Sequence, residues 1–170
     1  MSLLPEIQEQ GAPIPCAVSV GGMIEFWVSG IPRPGGSKRG FLIPNTKRIV
    51  VTESNKRSKD WRASVAQAAS EVVKAPLHGP LEVTFEFYMP RPKGHFRSGK
   101  NLAQLKDSAP SWHSTRPDVS KCVRSTEDAL KGITWIDDSQ IASQRASKVY
   151  GDSPGCRITI RSLYESLLEI

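Results

Sequence analysis

Residues 116–140 read RPDVSKCVRSTEDALKGITWIDDSQ. Apolar side chains recur at three- and four-residue spacings, which predicts a helix from about Asp118 to Lys131, ended by Gly132. Val119, Cys122, Val123, Thr126, Ala129 and Leu130 cover one side of it. Asp118, Lys121, Ser125 and Asp128 fall on another side, at spacings of three, four and three. Upstream, LEVTFEFYM (residues 81–89) alternates apolar and polar residues as a half-buried strand does. Downstream, IASQRASKVY and CRITIRSLY read as two closing strands joined by a GDSPG turn. One strand before it and two after it therefore flank the helix of the quoted segment.

The N-terminal half adds one more strand and one more helix. MIEFWVSG (residues 23–30) is strand-like and ends in the breaker cluster GIPRPGGSKRG. FLIPNTKRIVVT reads as a loop or short hairpin. Ser54 and Ser58 start a helix whose stripe is Trp61, Val65, Ala68, Ala69, Val72 and Val73, reaching about Lys74. The order β-α-β-α-β-β gives a small single α+β domain with a mixed sheet and two main helices. It is expected over residues 22–164, with flexible tails at 1–21 and 165–170. The stretch from Pro90 to Pro117 has little periodicity, and a loop that long is usually functional or disordered.

A chain of 170 residues fits one domain, and 38% hydrophobic and 24% charged residues are ordinary for a soluble protein. The formal charge of +6 favours a polyanionic partner. Between Lys38 and Arg62 there are eight Lys or Arg and two acids; Arg91 to Lys106 adds five bases and no acid. Clusters of this kind are as often plain solvated surface. Cys16, Cys122 and Cys156 form no metal or disulfide pattern, so packing of Cys122 and Cys156 and a reducing cytoplasm are expected. With Glu6 and Glu9 in place of a basic start and no long apolar run, neither a signal peptide nor a membrane span is expected at the N-terminus.

The carboxylates of the opening segment have two readings. Structurally, Thr115–Asp118 matches a capping box, and Asp137 and Asp138 suit a turn. Chemically, two acidic groups at the ends of one helix-turn unit, with Arg124 and Lys148 near them in the chain, suit phosphate chemistry. Mg²⁺ is held by one or two carboxylates, water and substrate phosphate. Such an ion activates water, and a nearby cation stabilises the developing charge.

The segment HSTRPDVSKCVRSTEDALKGITWIDDSQIASQRASK (residues 113–148) resembles the signature of RusA-type Holliday junction resolvases. That pattern is close to PD-x-D-N-x-x-K-x-x-x-D-A-L-x-G, then W-x-DD-x-Q and a later lysine. FWVSGIPRPGGSKR and the helix around Trp61 are similar to the family's opening, so the likeness spans roughly residues 23–162. It implies a homodimeric, Mg²⁺-dependent endonuclease (Mn²⁺ as a substitute) that nicks four-way DNA junctions in recombination and repair. Such proteins are often encoded by phages or prophages. By the resemblance, Asp118 and Asp138 bind the metal and are catalytic with Asp137, Arg124 and Lys148, while Asp128 matches the D-A-L aspartate. Ser120 stands where the family pattern has its second aspartate, and so counts as a third metal position. Lys121 replaces its asparagine, and Arg124 its lysine. The rival reading is a catalytically impaired junction- or DNA-binding protein of the same fold.

Within that reading, Arg33, Lys38, Arg39, Arg91, Lys93, Arg97 and Lys121 bind DNA phosphates, with Lys47, Arg48 and Lys100 alongside. Phe96 and Trp112 can stack on unpaired bases, but Trp112 is better read as pinning the long loop to the domain. Trp27, Trp61 and Trp135 lie in apolar phase and are expected in the core. Either His113 touches substrate and orients Asp118, or it is structural.

Overall fold

A computed structural model describes residues 22–35, 38–44, 46, 48–53 and 57–164. The two expected tails, Cys16 and Lys47 lie outside the described residues, as do the side chains of Lys38 and Arg39. The strands are β1 (Met23–Ser29), β2 (Lys38–Leu42), β3 (Ile49–Glu53), β4 (Leu81–Pro90), β5 (Ile141–Gly151) and β6 (Gly155–Ser162). The helices are α1 (Ser58–Val72) and α2 (Val119–Leu130). Four strands form a mixed sheet in the order β1-β6-β4-β5, in which only the β4–β5 pair is parallel. The expected α+β order holds, and the basic segment after β1 is a separate antiparallel hairpin, β2–β3.

The alternation in β4 builds the core. Leu81, Val83, Phe85, Phe87 and Met89 are all buried, while Glu82, Thr84 and Glu86 face the other side. On that outer face Arg161 pairs with Glu82 and Arg157 with Glu86. Trp61, Val65 and Ala69 of α1, with Cys122, Val123 and Leu130 of α2, join the buried cluster. Burial pushes the Cys122 thiol up to about 11 and Cys156 well above its ordinary value, so both remain neutral packing groups. A buried polar contact joins the helices: the Trp61 indole N–H donates to Thr126 Oγ1 at 3.2 Å. Thr126 in turn donates to the Cys122 carbonyl.

Three expectations are corrected. Trp61 and Trp135 are core residues, but Trp27 is only half-buried; β1 turns Phe26 and Val28 inward, so Trp27 faces Tyr88 on the outer side. Ser125 is wholly buried rather than on the polar side of α2. The breaker loop after β1 folds over it: Gly35 N–H donates to the Lys121 carbonyl at 2.9 Å. A Cβ on Gly35 would come within 3.0 Å of Ser125 Cβ. Finally, the long loop is folded. Arg97 N–H bonds Gln104 O, Lys106 N–H bonds His95 O, and Tyr150 N–H bonds Ser111 O, which seals the loop onto the end of β5.

Candidate active site

The helix α2 carries acidic groups at both ends. Asp118 is its N-cap by backbone conformation, yet its side chain makes no capping bond, so the Thr115–Asp118 capping box does not form. The carboxylate instead pairs with Lys121, with Nζ 3.0 Å from Oδ2. That lysine holds the exposed Asp118 carboxyl below the usual carboxylate range, with smaller help from Arg116 and Lys148. Asp118 is therefore ionised and open to solvent, as a ligand for a hard cation must be.

The segment that delivers Asp118 is fastened from β5. Lys148 Nζ donates to the Thr115 carbonyl at 2.6 Å and also to the Pro117 carbonyl. His113 N–H donates to the Lys148 carbonyl, and the Arg116–Pro117 peptide is cis. Lys148, expected as a charge stabiliser, thus has two of its three donors on the backbone that carries Asp118. His113 is buried at 9% exposure, with Nδ1 unpartnered and Nε2 3.4 Å from Thr115 Oγ1. Burial and the nearby Lys148 charge lower its pKa, so the ring is neutral near pH 7.

Asp137 and Asp138 follow the far end of α2 and have separate tasks. Asp137 accepts from Ser139 N–H, while Gln140 Oε1 accepts from Asp137 N–H, a reciprocal cap on the short turn 138–140. Lys131 Nζ, 2.6 Å from Asp137 Oδ2, holds that carboxyl far below its ordinary value. The turn reading of Asp137 is therefore realised. Asp138 keeps one oxygen nearly free: Oδ1 accepts from Trp135 Nε1 at 2.9 Å, whereas Oδ2 is 3.9 Å from Lys131. The buried Trp135 ring aims this carboxylate.

Between these ends, Ser120, Arg124, Glu127 and Lys131 share one stripe of α2 at spacings of four, three and four. Ser120 and Arg124 are exposed. Glu127 is bonded by Gln144 of β5, and burial followed by the Asp138 charge raises its pKa. Asp128 lies near Arg62, at 4.0 Å. Twelve helical residues rise about 18 Å, so α2 spaces Asp118 and Asp138 rather than placing them side by side. Among the described residues no group of three or more His, Cys, Asp or Glu gathers around one point.

Around Asp118 lies an open cleft of ≈ 650 Å³, lined by Trp112, His113, Arg116, Arg145 and Lys148 among others. Its charges, Asp118 apart, are cationic. Arg116 and Arg145 were missed from the sequence; strand alternation puts Arg145 on the opposite face of β5 from Lys148, so the pattern gave no signal that they share a cleft. The Trp112 ring is 66% exposed at the rim; only its backbone bridges Val149, so backbone pairing and not the indole pins the loop. The other expected DNA contacts differ in freedom. Arg91 bonds the Pro110 carbonyl and lies over Tyr150, and Arg97 pairs with Asp107, so both brace the loop. Lys93 is exposed and Arg33 half-buried, and Lys121 is engaged with Asp118.

Two comparisons bear on this arrangement. The profile of the endodeoxyribonuclease RusA family matches residues 32–161. The chain is also 31% identical over 144 residues to YqaN of Bacillus subtilis (strain 168), described as an uncharacterised protein. That alignment covers 82% of this chain and 96% of YqaN.

Proposed function

The chain belongs to the RusA endodeoxyribonuclease family, and from that premise we propose that it is a metal-dependent endonuclease cutting four-way DNA junctions in recombination and repair. One observation carries the reading. Asp118 is an exposed, ionised carboxylate in a cleft whose other charges, from Arg116, Arg145 and Lys148, suit a phosphodiester.

The donor set fits Mg²⁺ or Mn²⁺ in an open site but not in a closed protein cage, because carboxylates are few and solvent-facing. Asp118 is the carboxylate that would hold the ion in this cleft, while Asp138, beyond the far end of α2, is a separate candidate ligand; Ser120 lies two residues after Asp118, on another stripe of the helix. When bound, the ion would supply a more acidic water and charge neutralisation at the cleaved phosphate. The chain's own residues do the rest. Lys148 and the 113–117 backbone fix Asp118, Trp135 orients Asp138, and Arg124 with the cleft arginines binds phosphate oxygens. Asp137 supports the turn that presents Asp138. Two paired nicks call for two such sites, so the working form is a homodimer in the cytoplasm.

Ser120 favours a second reading, a junction-binding protein with impaired cleavage, since a neutral hydroxyl is a poorer ligand than a carboxylate for a hard cation. A labelled four-way junction separates the two. Paired nicks that appear with Mg²⁺ and vanish with chelator support the enzyme. Retarded but uncut junction in Mg²⁺ and Mn²⁺ supports the binder.

A further inference from the structure

We propose that the tip of the β2–β3 hairpin is a wedge that enters the branch point of the junction, where Leu42 and Ile49 pack on unstacked base faces. The inference deepens the junction reading above and rests on it.

Hydrogen bonds tie the described residues of the hairpin tip together. Ile43 N–H donates to the Arg48 carbonyl at 3.1 Å, and Thr46 N–H closes the turn onto the Ile43 carbonyl at 3.1 Å. The Thr46 hydroxyl bonds the same carbonyl and accepts from Arg48 N–H. Leu42 and Ile49 are direct cross-strand partners, so their side chains share one face. Gly40 leaves room beside them, since a Cβ there would lie 3.1 Å from Ile49 Cγ2. Yet Leu42 is 65% exposed, Ile49 66% and Ile43 39%. The domain core covers none of these three.

Charge identifies the occupant. Residues 38–48 carry Lys38, Arg39, Lys47 and Arg48 and no acid. The same hairpin of a second copy is equally basic and would be repelled, so any contact between copies uses another face. Branched DNA matches both features: phosphates outside for the cations, and aromatic base faces inside for the apolar pair. In continuous duplex those faces are stacked against each other. At a branch point the stack is interrupted, and Leu, Ile and Pro are the side chains that wedge into such steps. Pro44 stands beside Ile43 in the turn.

The test uses the full chain and a four-way junction with 2-aminopurine at the branch nucleotides, in chelator so that no cutting occurs. Wild-type protein is expected to raise the 2-aminopurine fluorescence on binding. The Leu42→Ser/Ile49→Ser double variant should lose that rise and bind junctions about tenfold more weakly, as loss of base stacking implies. Its affinity for linear duplex should stay near that of wild type. Leu42→Phe, which keeps an apolar wedge, should retain the signal and controls for misfolding. An undiminished rise in the double variant overturns the proposal, and so does a change in oligomeric state with the rise intact. Wild-type protein that shows no preference for junctions over duplex would instead sink the junction reading itself.

Discussion

Replacing Lys148 by Met separates two roles for this lysine. The substitution keeps the length and apolar stem but removes the ammonium that bonds the Thr115 and Pro117 carbonyls. Bonds from charged donors contribute about 1.5–3 kcal/mol each, and the freed carbonyl of exposed Thr115 regains water. A net loss of about 2 kcal/mol follows. For a chain of 170 residues this lowers Tm by about 4–8 °C. Differential scanning calorimetry reads the shift, and junction cleavage measured well below the new Tm should fall as well, because the Asp118 segment is no longer fastened. A Met variant that melts within about 1 °C of wild type but cleaves poorly would refute the reasoning. It would show that Lys148 acts on substrate rather than on the backbone.

Other perturbations test the frame and the neutral histidine. Trp61→Phe removes the buried indole N–H bond to Thr126 and leaves a small void, costing about 1–3 kcal/mol, readable by urea denaturation. Gly35→Ala pushes a methyl to 3.0 Å from Ser125 Cβ and 3.1 Å from Ser125 Cα and should destabilise by about 1–3 kcal/mol; Ser125→Gly in the same chain should restore little of it, because the backbone contact stays and a mid-helix glycine has its own cost. His113 has a lowered pKa, so the unfolded chain binds its proton first. The stability it contributes is whole above about pH 6.5 and is lost as pH falls toward the folded value. Melting curves between pH 7.5 and pH 5 should therefore fall more steeply for wild type than for His113→Gln.

The parts that were legible in the sequence are those with a period. The β4 alternation and the α2 spacing fix their elements to within a residue or so, and Asp118 and Lys131 are the caps of α2, as their places at the ends of the stripe imply. What escaped depends on contacts between distant segments. Ser125 falls in polar phase on α2, and only the return of Gly35 across the helix buries it. Lys148 looks like any strand cation until the 113–117 segment arrives 31 residues away. Arg91 and Arg97 read as free cations because their acceptors, Pro110 O and Asp107, lie ten or more residues on. Asp137 and Asp138 are adjacent and chemically equal in sequence. Their division of labour comes from Lys131 and the Trp135 indole, which the turn alone brings to them.

The most direct measurement is the cleavage of a labelled four-way junction in Mg²⁺ by Asp118→Asn protein, with binding of the same junction measured beside it. Removing the carboxylate while keeping its shape should lower cleavage by about 100-fold or more and leave binding intact, because the substitution removes an anion from a cationic cleft. Cleavage by Asp118→Asn at the wild-type rate would contradict the assignment of this carboxylate to the chemistry.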